Sequence, residues 1–278
     1  MVARMATTLH ELPDGAALAY TDRGSGQPLI LLHGVTMTSR FFERNVGPLA
    51  EGHRVLAIDF RSHGASPHHE GGHTVAQYAR DVRHLVEALD LRDVVLVGWS
   101  MGSMVAWDYQ RQFRGDHHLA GHVVVSQSPS DLKRDDWEHG FLDVAGLVEF
   151  LREAQEDWTG ALRAFVPAML MDEPSPEELA WMAAETAKVG ANAGTAILLD
   201  QTFRDYREDL AQIDVPTLLA WGRDEKLVPV SAAHEMQRRI PDAELVFFEH
   251  SGHCPMYEEP EAFNAAVADF VAGLPAGR

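Results

Sequence analysis

Val94-Val95-Leu96-Val97-Gly98-Trp99-Ser100-Met101-Gly102 runs four apolar residues into a serine that has a glycine two places away on either side. Such an uninterrupted apolar run fits a parallel strand covered on both faces, and Met101 to Phe113, closed by Gly115, reads as the helix that follows. A sharp strand-to-helix turn crowds the backbone at its apex, and glycines at 98 and 102 relieve the crowding. The stretch therefore fits a G-x-S-x-G nucleophile elbow with Ser100 at the tip. Twelve serines and 22 glycines in 278 residues give roughly 0.1 chance matches to this pattern before its strand-helix setting is required. The competing reading is a tight turn with an idle serine.

The same kind of apolar run recurs on both sides of the elbow. Leu29 to Leu32, Val55 to Ile58, Val123 to Val125, Thr217 to Trp221 and Leu245 to Phe248 read as further buried strands. Between Val55–Ile58 and the elbow, Val75, Tyr78, Ala79, Val82, Leu85, Val86 and Leu89 recur at helical spacing, with Thr74 and Gln77 as a possible capping box. Pro260 to Leu274 reads as a last helix. This alternation predicts an α/β fold with a doubly wound, mostly parallel sheet. Thr7 to Tyr20 reads as a leading hairpin turning at Pro13-Asp14-Gly15. The stretch 130–194 breaks the alternation with helix-forming segments rich in Ala, Leu, Met, Glu and Trp, which predicts a helical lid inserted into a core made of 1–129 and 195–278. Its apolar residues include Phe141, Leu147, Phe150, Trp158, Phe165 and Met169. Most are expected to pack the lid down, and some to face what lies beneath it.

Composition removes several function classes. A chain that is 46% hydrophobic and 23% charged has the material for one full core and is not disordered. With 23 Lys+Arg against 42 Asp+Glu the net charge is -19, which repels polyphosphate, so nucleic acid is a poor partner. One cysteine, Cys254, allows no intrachain disulfide, and its neighbourhood lacks an elbow, so it is read as packing. Met1 to Leu12 has no apolar stretch like that of a signal peptide, and no run reaches membrane-span length. The expectation is a cytoplasmic protein with no membrane partner. His68-His69, His73, His117-His118 and His122 lack the spacing of a zinc motif and are read as solvated loop histidines, with no metal expected.

A serine hydroxyl needs a base within hydrogen-bond reach and a carboxylate to orient that base. Thr217–Trp221 is followed by Gly222-Arg223-Asp224-Glu225-Lys226-Leu227-Val228-Pro229, and Leu245–Phe248 by His250-Ser251-Gly252-His253-Cys254-Pro255. Both are polar turns at the carboxyl ends of strands, where catalysis in open parallel sheets gathers. Asp224 is the predicted carboxylate, with Glu225 in reserve. His253 is the predicted base, with His250 in reserve, because Ser251-Gly252 gives a small-residue loop that can bring the following ring to the site. A tetrahedral intermediate also needs two N–H donors. The Met101 amide at the helix start is one, and the Val35 amide, after Leu29 to Leu32 and His33-Gly34, is the other. Met37, Phe41, Phe42 and Trp99 are expected to line an apolar substrate pocket.

Together, His33-Gly34, Asp59-x-Arg61-x-x-Gly64-x-Ser66, Gly98-x-Ser100-x-Gly102, Gly222-x-Asp224 with Val228-Pro229, and Gly252-His253 resemble the α/β-hydrolase family over nearly the whole chain. Gly98 to Gly102, Phe203-Arg204, Asp209-Leu210 and Ile213 to Thr217 look most like its esterase and cofactor-free haloperoxidase (perhydrolase) branch. The chain departs from that branch at Trp99, where Phe is usual, and at Thr36-Met37-Thr38. The resemblance implies Ser100, Asp224 and His253 as a triad, Val35 and Met101 as an oxyanion hole, a lid that selects substrate, and no cofactor. It also implies a mostly structural loop from Arg61 to Ser66. The expected reaction is cleavage of a small-molecule carboxylic ester through an acyl-enzyme. Perhydrolysis, acyl transfer, and lactone or C–C bond hydrolysis use the same residues, and a slow-turnover ligand sensor is a reading from another class. Haloalkane dehalogenases and epoxide hydrolases share the fold but need Asp in place of Ser100.

Overall fold

The computed structural model describes residues 7–275. In chain order the elements are β1 (Thr8–Glu11), β2 (Ala17–Gly24), β3 (Pro28–Leu32), α1 (Glu43–Leu49), β4 (Arg54–Asp59), α2 (Val75–Ala88), β5 (Val94–Trp99), α3 (Met101–Gln112) and β6 (Leu119–Val125). A helical stretch follows, with α4 (Val144–Glu156), α5 (Trp158–Phe165), α6 (Pro176–Thr186) and α7 (Ala191–Phe203). The chain then returns through β7 (Thr217–Gly222), α8 (Val230–Arg239), β8 (Ala243–Phe248), α9 (Pro255–Glu258) and α10 (Pro260–Gly273).

The sheet has eight strands in the order β1-β2-β4-β3-β5-β6-β7-β8. From β4 to β8 every neighbouring pair is parallel, and β1 and β2 add an antiparallel edge through Leu9↔Ala19 and Tyr20↔Ile58. All six apolar runs lie on strands, and each strand extends past its run by one to four residues. Alternation along the strands builds two cores. Ile30 and Leu32 face a cluster holding Val82, Leu85, Met104 and Met236 of α2, α3 and α8, whereas Leu29 and Leu31 face one holding Val46, Phe263 and Val267 of α1 and α10. Each fully buried Leu or Val contributes about 1.5–3 kcal/mol relative to an exposed one.

Local signals act mostly as the residues suggest. The leading hairpin closes with Leu12 N–H donating to Ala16 O at 2.8 Å, with Gly15 at a φ of 87° inside the turn. Thr74 caps α2 by accepting from the Gln77 amide at 3.1 Å, but the Gln77 side chain turns forward to Asp81 at 2.8 Å, so the capping box is half formed. Asp59 accepts from the amides of Ser39 (2.7 Å) and Ala65 (2.8 Å), and the buried Arg61 is clamped by both oxygens of Asp81 at 2.9 Å. The Asp59–Ser66 motif thus acts as a brace.

His122 departs from the sequence reading. It lies inside β6, which starts four residues before the apolar run, and it is fully buried. Burial drives its pKa down to about 3, so it is a neutral core side chain and no solvated loop histidine. The expected lid boundary at 194 falls inside α7. Gly194 does not end that helix: a Cβ there would stand 2.2 Å from the Trp158 ring, so the glycine makes room for the indole. Among the described residues no helix is long and apolar enough to cross a membrane.

Candidate active site

The loops after β3, β5, β7 and β8 leave the same edge of the sheet, because these strands are parallel. Ser100 stands between β5 and α3 with φ 53° and ψ −124°, a conformation that costs a non-glycine residue about 1–3 kcal/mol. The elbow glycines are sterically required. A Cβ on Gly98 would lie 2.5 Å from the Gly102 carbonyl carbon, and one on Gly102 would lie 2.1 Å from Leu32 O. The Met101 amide occupies the first turn of α3, where no intrahelical acceptor exists.

The other candidate donor is held by a buried histidine. His33 Nε2 accepts from the Phe60 amide at 3.1 Å, which fixes the tautomer, and Nδ1–H then donates to Gly34 O at 2.8 Å. Burial lowers the His33 pKa to about 4, so the ring stays neutral and pins the turn that presents Val35. Val35, Ser100 and His253 line one cavity.

The carboxylate that meets His253 is that of Glu225 and not of Asp224. His253 Nδ1–H donates to Glu225 Oε2 at 2.9 Å, and both side chains are almost wholly buried. The Asp224 side chain is 50% exposed and lies 3.6 Å from Lys226. The backbone sets this choice. The Asp224 amide bonds Ser251 O at 3.0 Å, which turns its side chain outward, while Glu225 Oε1 accepts from the amides of Leu227 (2.9 Å) and Val228 (3.2 Å). That carboxylate cap on the turn before Pro229 is the signal by which the sequence could have favoured position 225. Burial works to raise the Glu225 pKa, but the His253 imidazole and the Leu227 amide outweigh it and hold the carboxyl below its ordinary value.

With Nδ1–H committed to Glu225, His253 Nε2 is the nitrogen left to accept a proton. In this structure the Ser100 hydroxyl donates to Gln127 Oε1 at 3.3 Å, so it has to turn from that acceptor before it can donate to His253. The ring is positioned by its own loop: Trp99 Nε1–H donates to His253 O at 2.8 Å, and the His253 amide bonds Met169 O at 2.9 Å. A Cβ on Gly252 would lie 2.9 Å from Met171 N, so only glycine admits the helical segment this close to the histidine. Lys226 adds a tie by donating to the carbonyls of Leu170 and Met171, each at 2.8 Å.

The cavity has a volume of about 130 Å³. Met37 and Trp99 line it as expected. Phe41 and Phe42 do not. They point inward from a single 3₁₀ turn at Ser39–Phe42 and are fully buried, with ring centroids 5.2 and 6.5 Å from that of Trp99, so they support the wall from behind. The helical segment supplies Leu147, Phe150, Trp158, Phe165 and Met169, together with Gln201, which sequence reasoning missed. Gln127 and Asp131, between β6 and α4, were missed as well.

The alpha/beta hydrolase family model matches residues 29–266, and the chain belongs to that family. It is an enzyme with the hydrolase fold. The chain is similar to the AB hydrolase superfamily protein YisY of Bacillus subtilis, with 30% identity over 90% of this chain and 93% of that protein. It is 28% identical to a putative non-heme chloroperoxidase of Synechocystis, over 91% of this chain and 94% of that one. Among solved structures, an esterase from Exiguobacterium antarcticum superposes with a TM-score of 0.91 at 25% identity, covering 96% of this chain and all of that one. The resemblance to the esterase and haloperoxidase branch read from the motifs holds.

Proposed function

We propose that the chain is a serine esterase acting on small, largely apolar carboxylic esters, with Ser100 as nucleophile, His253 as base and Glu225 as its orienting carboxylate. The observation that carries this reading is the buried 2.9 Å bond from His253 to Glu225 beside the cavity that Ser100 also lines. Ser100 Oγ attacks the ester carbonyl carbon while its proton passes to His253 Nε2, and the resulting oxyanion takes hydrogen bonds from the Val35 and Met101 amides. Collapse breaks the bond to the alcohol oxygen, which receives the proton from His253. A water molecule, deprotonated by the same ring, then attacks the acyl-enzyme; the carboxylic acid leaves and the Ser100 hydroxyl is restored.

The helical segment serves as the substrate-selecting lid, and its span runs to Phe203, since Leu198 and Gln201 on α7 both line the cavity. Ser100→Ala is expected to fold normally and to lose several orders of magnitude in turnover of nitrophenyl esters. Retained turnover contradicts the assignment. The likeness to the named chloroperoxidase favours perhydrolysis as a second reading, in which hydrogen peroxide replaces water as acceptor. Peracetic acid formed from acetate and peroxide, and lost in Ser100→Ala, distinguishes it.

A further inference from the structure

One polar amide breaks the apolar wall that the helical segment gives the cavity. Gln201 on α7 lies one and two turns from Leu198 and Gly194, on the face where the Trp158 indole packs. It is 2% exposed, and its Nε2 donates to Asp131 Oδ2 at 2.8 Å. Asp131 is fully buried, and its other oxygen accepts from Gln127 Nε2 at 2.7 Å. An ionised carboxylate only accepts, so it forces each glutamine to turn its NH₂ toward Asp131 and its oxygen away from it. The oxygen of Gln127 receives the Ser100 hydroxyl, whereas the buried oxygen of Gln201 has no partner among the described residues. The indole N–H of Trp158, in the same wall, also has no partner among the described residues. Buried polar atoms are normally hydrogen-bonded, so a buried acceptor fixed without a partner, on a residue that lines a ligand cavity, points to a donor brought by the ligand.

We infer that Gln201 is a specificity-determining residue whose Oε1 accepts a hydrogen bond from a hydroxyl carried on the acyl chain of the substrate, so that the enzyme favours hydroxyacyl esters over plain alkyl ones. This rests on the esterase reading and narrows its substrate class. A hydroxyl that meets Gln201 satisfies the bare oxygen; a methyl ether of the same length fills the space and leaves that oxygen unpaired.

The test uses p-nitrophenyl esters of 3-hydroxy- and 6-hydroxyhexanoic acid, each against its methoxy counterpart. For the wild-type enzyme, kcat/KM of at least one hydroxy ester is expected to exceed that of its methoxy partner about tenfold, and Gln201→Leu and Gln201→Met bring the ratio to within about twofold of one. Ratios near one for both wild-type pairs, or a preference that survives both substitutions, overturn the inference. The same ester pairs titrated into Ser100→Ala by calorimetry give a binding ratio that needs neither turnover nor a Gln201 variant. A tenfold preference for a hydroxy ester supports the role of Gln201, and equal affinities within both pairs overturn it. Should fluorophosphonate leave Ser100 unlabelled and every ester remain intact, the esterase reading fails, while the binding ratio still decides on Gln201.

Discussion

Two buried carboxylates back the residues around Ser100, Glu225 bonded to His253 and Asp131 to Gln127, and their surroundings treat them differently. Glu225 meets an imidazole and two backbone amides, and these hold its pKa below the ordinary value against the effect of burial. Asp131 accepts from the side-chain amides of Gln127 and Gln201; burial outweighs these bonds and the nearby His253, and its pKa rises to about 6. Position beside a nucleophile therefore does not define a carboxylate's part. Glu225 has a partner that can take up charge in a reaction, and Asp131 has partners that can only be oriented.

The sharpest way to break this contrast is to remove the charge at Glu225. Glu225→Gln keeps the shape but loses the acceptor that fixes the His253 tautomer, and kcat for nitrophenyl esters is expected to fall about 10³–10⁴-fold. A fall below tenfold would mean that another carboxylate orients the ring.

A smaller effect is expected from the other side. With its folded pKa raised from 3.8 to about 6, Asp131 binds its proton more tightly in the folded state. Its contribution therefore becomes less favourable as pH rises from about 4 through 6 and is constant above. Measured by denaturant unfolding, Asp131→Asn should gain about 3 kcal/mol relative to wild type between pH 4 and pH 7. A stability difference that does not vary with pH contradicts the assignment of this carboxylate as uncompensated.

The buried histidines act with the opposite sign. His33 is held down to about 4, and His63 and His122 to about 3, in each case chiefly by burial. The unfolded chain takes up these protons near pH 6.5 and the folded one does not, so the stability they contribute is complete above that pH and is lost as pH falls toward 4 and 3. In the Asp131→Asn background, where the compensating carboxylate is gone, the unfolding free energy should decline steadily below pH 6.5. A flat profile would contradict neutral burial of all three.

The smallest effect belongs to the neighbour of Glu225. Asp224→Asn is expected to change kcat/KM less than about threefold, because an exposed carboxylate beside one lysine carries little energy. A hundredfold loss would return the orienting role to position 224.

The sheet and the elbow were legible because their physics is local: apolar runs mark buried strands, and glycines two places either side of a serine mark a turn whose neighbours touch it. The choice between positions 224 and 225 was not legible from strand order alone, since adjacent residues in a turn point to opposite sides and a backbone bond to Ser251, distant in sequence, decides which faces inward. Phe41 and Phe42 misled for a similar reason, as aromatic composition does not say which side of a short 3₁₀ turn meets the cavity. The Asp131–Gln201 contact spans 70 residues of chain and joins a loop to a helix of the lid segment, so no spacing announces it.

The proposed chemistry stands on activation of the Ser100 hydroxyl by His253. Treating the wild-type protein with a fluorophosphonate and locating the adduct by peptide mass spectrometry tests it most directly. A single modification on Ser100, missing in Ser100→Ala and slowed in Glu225→Gln, is the predicted result; an adduct on another side chain, or equal labelling of Ser100→Ala, would contradict it.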